Sequence, residues 1–140
     1  LLVIGYLAGQ YFEKQHYKSL RDKEKYFINK IEVMTNNKFY SNVGAKQAVL
    51  VVGNTVVASD YFKNFLAGLI SLFGGRISVY ETLLDRGRRE ALVRLYAEAD
   101  KLGAHKIINL RVDTVNVNSV HGKAGIPMIE CFAYGTAISE

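Results

Sequence analysis

Met128-Ile-Glu-Cys-Phe-Ala-Tyr-Gly-Thr-Ala-Ile138 decides how this chain folds. Its odd positions, Ile129, Cys131, Ala133, Gly135 and Ala137, are mostly small, and its even positions, Met128, Glu130, Phe132, Tyr134, Thr136 and Ile138, are mostly large. Strict alternation over eleven residues is the period of a β-strand, whose successive side chains point to opposite faces. A face of small side chains suits a helix lying tight on a sheet. The face of large ones is then left for a subunit contact, with Phe132 and Tyr134 as candidate interface residues.

The helix that fits the small face lies upstream. From Ser78 to Leu102-Gly103 the residues Tyr80, Leu84, Gly87, Ala91, Leu95, Ala99 and Leu102 recur at three and four, which makes one apolar stripe. Gly87 and Ala91 let another element approach it closely. Ser78 and Glu81 have capping-box spacing. On the other side Arg86, Glu90, Arg94 and Glu98 alternate in sign every four residues, which predicts a solvated ladder of ion pairs and not a phosphate-binding face.

The remaining elements follow from local pattern. Ile107 to Val117 reads as a strand, with Ile108, Leu110, Val112 and Thr114 on one face, and the loop Asn118–Pro127 joins it to the last strand. Ala48–Val52 and Thr55–Ala58 are β-branched runs around Gly53-Asn54, either a two-residue hairpin or one long strand bulged at Gly53. Tyr61 to Phe73 reads as a helix apolar on almost every side, through Phe62, Phe65, Leu66, Leu69 and Phe73. One domain of this size cannot cover such a helix alone, so it and Phe132 and Tyr134 are expected at an oligomer interface. The order strand, helix, helix, strand, strand gives an α+β class: an antiparallel sheet with helices on one face.

Toward the N-terminus the character changes. Leu1-Leu-Val-Ile-Gly-Tyr-Leu-Ala-Gly9 is apolar, and residues 11–30 then hold six Lys or Arg against three acids, +3 of the chain's formal +5. An apolar run followed by a basic stretch is the order of a transmembrane anchor and its cytoplasmic flank; the alternative is an amphipathic helix packed on its own domain. The expectation is that Leu1, Leu2, Val3, Ile4, Tyr6 and Leu7 end a membrane-spanning helix, that Tyr6–Tyr26 continues it, and that the globular part lies on the cytoplasmic side. The bilayer, further copies of the chain and another membrane protein are then the partners. Nucleic acid is set aside because the basic excess abuts the apolar run. Residues 1–26 form the N-terminal helix, 27–47 a connector with one short strand at Ile31–Thr35, and 48–140 the globular domain.

The combination Val52-Gly53, Asp60-Tyr61-Phe62, Phe65-Leu66-Ala67-Gly68, Gly74-Gly75-Arg76, Tyr80-Glu81, Leu102-Gly103-Ala104 and Gly135-Thr136-Ala137 closely resembles the YbjQ-like family, which carries a heavy-metal-binding label. The resemblance covers about residues 48–140. It implies a dodecin-subunit-like βαββ two-layer sandwich that assembles as a homo-pentamer, with Gly74, Gly75, Arg76, Tyr80 and Glu81 as its motif. It implies no settled activity.

The chemistry-bearing residues are sparse. Soft-metal binding asks for convergent Cys and His, and the candidates are His121 in the long loop, His105 after a helix end, and Cys131, with His16 far upstream. None has a metal-ligand neighbour at a recognised spacing, so no metal site and no cofactor is predicted. No nucleophile–base–acid constellation stands out, so the chain is read as a binding or scaffold module, not an enzyme. The alternative function is a metal or small-ligand carrier with sites between subunits.

Overall fold

A computed structural model describes residues 2–35, 45–58, 76–116 and 128–139. The elements are α1 (Leu2–Lys30), β1 (Glu32–Val33), β2 (Gln47–Ala58), α2 (Arg76–Lys101), β3 (Lys106–Asn116) and β4 (Met128–Ser139). The expected helix Tyr61–Phe73, with Phe62, Phe65, Leu66, Leu69 and Phe73, lies outside the described residues, as do Leu1, Gly74, Gly75 and His121.

The four strands form one sheet in the order β1-β3-β4-β2. β4 is central and pairs antiparallel with both β2 and β3, while β1 runs parallel to β3. The class is α+β as expected, but the sheet is mixed, not wholly antiparallel. The reason is local: α1 ends at Lys30, the chain turns at once, and Glu32 N–H donates to the His105 carbonyl (2.9 Å) while Met34 N–H donates to that of Ile107 (2.8 Å). Two residues laid beside β3 in this way run in its own direction.

β2 is neither a hairpin nor a bulged strand. Its register with β4 runs without a break from Gln47↔Ser139 to Ala58↔Met128. Gly53 is there because of what lies above it. A Cβ at this position would strike the Ala91 carbonyl oxygen and the Leu95 amide nitrogen, so the backbone of α2 rests directly on the strand. Gly87 makes the reciprocal approach from the helix, where an added Cβ would stand 2.7 Å from Cys131 Sγ. Ala91, Leu95 and Ala99 are fully enclosed along the same stripe. The odd residues of β4 are all buried beneath it, as the alternation of that strand predicts. Leu102 is the exception to the stripe: it lies past the end of α2 and is 44% exposed. There Gly103, at φ 67°, takes the left-handed C-terminal position, and its N–H donates to the Asp100 carbonyl (3.0 Å).

In β3 the alternation changes phase. The register shifts by one residue between Ile108 and Arg111, and Asn109 takes φ 54°. This bulge puts Ile107, fully buried, on the same face as Leu110, Val112 and Thr114, and leaves Ile108 out of that set. Across the sheet Gly135 makes room, since a Cβ there would lie 2.9 Å from Ile107 Cγ2.

The membrane reading of the N-terminus is overturned. No helix among the described residues is long and apolar enough to cross a bilayer. α1 passes straight from Leu2, Val3, Ile4, Tyr6 and Leu7 into Lys14, Lys18 and Arg21. The later half of α1 packs on protein. Leu20 is 2% and Ile31 3% exposed, and Phe27 meets Tyr96 at 6.1 Å. Tyr17 lies beneath the Arg86 guanidinium at 5.9 Å. The membrane function, the single-pass anchor and the membrane localisation that rested on this run fall together.

The two helices run in the same direction. Contacts advance together along both, from Tyr17–Arg86 through Glu24–Arg89 and Phe27–Tyr96 to Lys30–Asp100. They use the flank of α2 that carries Arg89, Val93, Tyr96 and Asp100, not the row that faces the sheet.

Candidate functional site

Among the described residues, no helix or strand covers the outer face of the sheet, opposite α2. It is built in rows across three strands: Val52 beside Tyr134 and Arg111, Asn54 beside Phe132 and Asp113, and Val56 beside Glu130 and Val115. Leu50 (68% exposed), Val52 (47%), Val56 (51%) and Val115 (50%) present apolar side chains to solvent. Ile108 and Ile138 close the far end of this face, where both are buried. The face thus grades from apolar on β2, through aromatic Phe132 and Tyr134 on β4, to charged Arg111 and Asp113 on β3.

The polar groups at its centre are tied to each other. Tyr134 Oη donates to Asp113 Oδ2 at 3.0 Å, and this hydrogen bond to the carboxylate, more than the nearby charge, raises the phenol's pKa. The pair orients the aromatic ring between Val52 and Arg111.

β2 is the last strand of the sheet, and among the described residues no further strand pairs with it. It is twelve residues long, carries no charge and no proline, and has no bulge. Proteins normally blunt a free edge with one of those devices. The guard here comes from α2: Arg94 Nη1 donates to the Asn54 main-chain carbonyl at 2.7 Å. Arg94 also pairs with Glu90 at 3.4 Å, and Glu90 faces His16 at 3.8 Å. The expected ladder Arg86–Glu90–Arg94–Glu98 thus forms at its Glu90–Arg94 step, while Arg86 and Glu98 take partners outside the ladder. Arg86 covers Tyr17, and Glu98 bonds Lys101.

The metal candidates do not converge. Cys131 is fully buried under Gly87, and desolvation raises its thiol pKa, which Arg88 only partly opposes. His105 is exposed, and its main chain joins the sheet ladder through the Ile138 carbonyl (3.0 Å). Along β4, Cys131 and Ile138 are seven residues apart, about 23 Å at strand rise. Among the described residues no group of three His, Cys, Asp or Glu side chains could hold a metal ion. Of the motif residues, Arg76 opens α2, Tyr80 lies in its first turns and Glu81 is exposed.

Two interactions escaped the sequence pattern. Arg89 forms a bidentate pair with Glu24, Nε to Oε1 and Nη2 to Oε2 both at 2.7 Å, and also approaches Asp85 at 3.8 Å. The hydrogen bonds to Glu24 raise the pKa of the guanidinium further. The available signal was an acid inside a basic stretch. The other is Arg94 on the Asn54 carbonyl, for which side-chain periodicity holds no signal at all.

A family model described as "Putative heavy-metal-binding" matches residues 31–140. The chain belongs to the YbjQ-like family. The match takes in β1 and Ile31 as well as the core expected from residue 48 onward. A UPF0145 protein of Dehalococcoides mccartyi is 39% identical over 111 residues, covering 79% of this chain and 95% of that protein. A UPF0145 protein of Archaeoglobus fulgidus is 43% identical over 89 residues, covering 64% and 76%. One of Acinetobacter baylyi is 37% identical over 93 residues, covering 66% and 80%. A crystal structure of a DUF74-family protein of unknown function from Pediococcus pentosaceus aligns with TM-score 0.42 at 22% identity, over 77% of this chain and 95% of that one. No enzymatic activity is named for the family or for these YbjQ-like relatives.

Proposed function

We propose that the chain is a self-associating binding module in which a second copy covers the β2 edge and the apolar rows beside it. The observation that carries this is the β2 column: a twelve-residue edge, guarded at the Asn54 carbonyl by Arg94, whose outward side chains, Leu50, Val52 and Val56, are each about half or more exposed. Magnitudes decide which surface must take part. The open rows run about 23 Å along the strands and about 14 Å across three of them. That is a footprint of roughly 320 Å² on each copy, and two of them fall short of the ~1,000 Å² of a stable interface. The face alone is too small, so strand pairing along the edge has to add to it.

A heavy-metal function draws on the family description and on Cys131, the chain's one soft thiolate donor. The burial of that thiol under α2 speaks against it, because a ligand has to be reached and deprotonated.

Light scattering or sedimentation of the full chain at tens of micromolar tests the assembly. An oligomer is expected, with the family resemblance implying five copies. Val52→Lys places a charge on the covered column and should return the protein to a monomer with an unchanged circular dichroism spectrum. A monomeric parent chain, or an oligomer indifferent to Val52→Lys and Leu50→Lys together, refutes the reading.

A further inference from the structure

With the membrane reading gone, the basic stretch of α1 needs another explanation. Lys14, Lys18, Arg21 and Lys25 follow one another at four, three and four residues. On a helix this places them within a sector of about 60°, in a line about 16 Å long. All four are exposed, and none has an ion-pair partner among the described residues. The other charges nearby are disposed of. Lys30 bonds Asp100 at 2.6 Å, and Glu24 and Asp85 are engaged by Arg89. Asp22, exposed, flanks the line, and Glu13 directly precedes it in sequence. Arg86, held over Tyr17, adds a cation from α2 on the same side.

We infer that this line of cations is a contact for the phosphodiester backbone of a nucleic acid, bound without regard to sequence. The surroundings favour that partner over an acidic protein. The exposed residues from 14 to 25 are Lys14, Gln15, His16, Lys18, Ser19, Arg21, Asp22, Lys23 and Lys25. None is an apolar anchor of the kind that carries most protein–protein affinity. A purely cationic line obtains its affinity from counterion release, which a polyphosphate chain provides and a folded acidic surface largely does not. The sequence argument against nucleic acid was that these residues flank a membrane anchor, and that argument no longer holds. The inference is independent of the assembly proposed above, which uses the other side of the molecule's core.

The test is fluorescence anisotropy of the full chain with a labelled mixed-sequence oligonucleotide, single-stranded and as its duplex. Polyglutamate and phosphatidylserine vesicles serve as rival polyanions. Four neutralised phosphates predict a slope of about −3 to −4 in log Kobs against log salt, hence binding about a hundredfold weaker at ~200 mM than at ~50 mM. Replacing Lys14, Lys18, Arg21 and Lys25 by Gln should weaken binding more than tenfold at low salt. Replacing the three lysines by Arg should preserve it, and both variants should melt with the parent because the positions are exposed. No binding at low salt, unchanged affinity in the Gln variant, loss of binding in the Arg variant, or equal or tighter binding to polyglutamate or vesicles overturns the inference.

Discussion

Replacing Gly87 by Ala separates two effects of opposite sign. In a helix interior, Ala is favoured over Gly by about 1 kcal/mol. Here the new methyl would stand 2.7 Å from Cys131 Sγ, in a pocket where Cys131 is fully buried. Carbon reaches its best contact near 3.5–4.0 Å, so helix and strand must part by about 1 Å or the thiol must leave its rotamer. Overpacking of that kind costs about 1–3 kcal/mol. Gly87→Ala should therefore lose about 0–2 kcal/mol net, against the direction of helix propensity. Cys131→Ala alone removes one buried atom, at a cost of about 1 kcal/mol. In the double variant the clash is gone, because the next neighbours of the added Cβ are Val57 Cγ2 at 3.4 Å and Cys131 Cβ at 3.7 Å. The double variant should fall close to the parent, with a coupling of about 2 kcal/mol between the two sites. Urea unfolding of the four proteins measures this. If Gly87→Ala gains the full ~1 kcal/mol of helix propensity, or if the two changes simply add, then α2 does not lie on β4 as closely as described.

Gly53→Ala should be worse than Gly87→Ala, because its clash is with helix backbone, which has no rotamer to change; it is expected to lose upwards of 3 kcal/mol or fail to fold, read by the same unfolding curves. Glu24→Gln breaks the bidentate pair with Arg89 and should cost about 1 kcal/mol, with faster amide exchange confined to α1 and the facing turns of α2. The thiol of Cys131 has its pKa raised by burial, so its neutral form favours the folded state. That contribution is whole below the ordinary thiol pKa and is lost as pH rises through the folded value, and the alkaline fall in stability should be smaller in Cys131→Ala. Arg94→Ala frees the Asn54 carbonyl on the β2 edge and should strengthen self-association, seen as a higher weight-average mass at equal concentration.

The strand that alternates most regularly could be read most fully. In β4 small and large residues trade places at every step, and the structure buries the small ones under a helix whose own small residues, Gly87 and Ala91, mark the contact. Gly53 was legible as special and not as what it is. A glycine in a β-branched run signals a turn, a bulge or a close approach alike, and only the position of α2 selects the third. The phase change in β3 could not be seen because Asn109 is tolerated in the left-handed region without a glycine to announce it. The N-terminus misled for a physical reason: an apolar run followed by lysines describes both a helix leaving a bilayer and a helix running onto its own domain. What separates them is whether residues such as Leu20 and Phe27 find protein, and that is a tertiary fact. The edge guard Arg94 and the pair Arg89–Glu24 were equally out of reach, since both join elements 40 and 65 residues apart.

The extra residue in β3 also governs which changes of length the chain tolerates. Asn109 lies between the half of the strand anchored by Ile107 and the half that carries Arg111 and Asp113 outward. Deleting that one residue would remove the bulge and leave an unbroken ladder in which Ile107, Leu110 and Val112 still face inward and Arg111 and Asp113 still point outward, whereas inserting one more residue between Ile108 and Arg111 without a second bulge would set the two halves of the strand out of phase. Inherited loss of the Asn109 codon should therefore be accepted, while gain of a codon beside it should be purged.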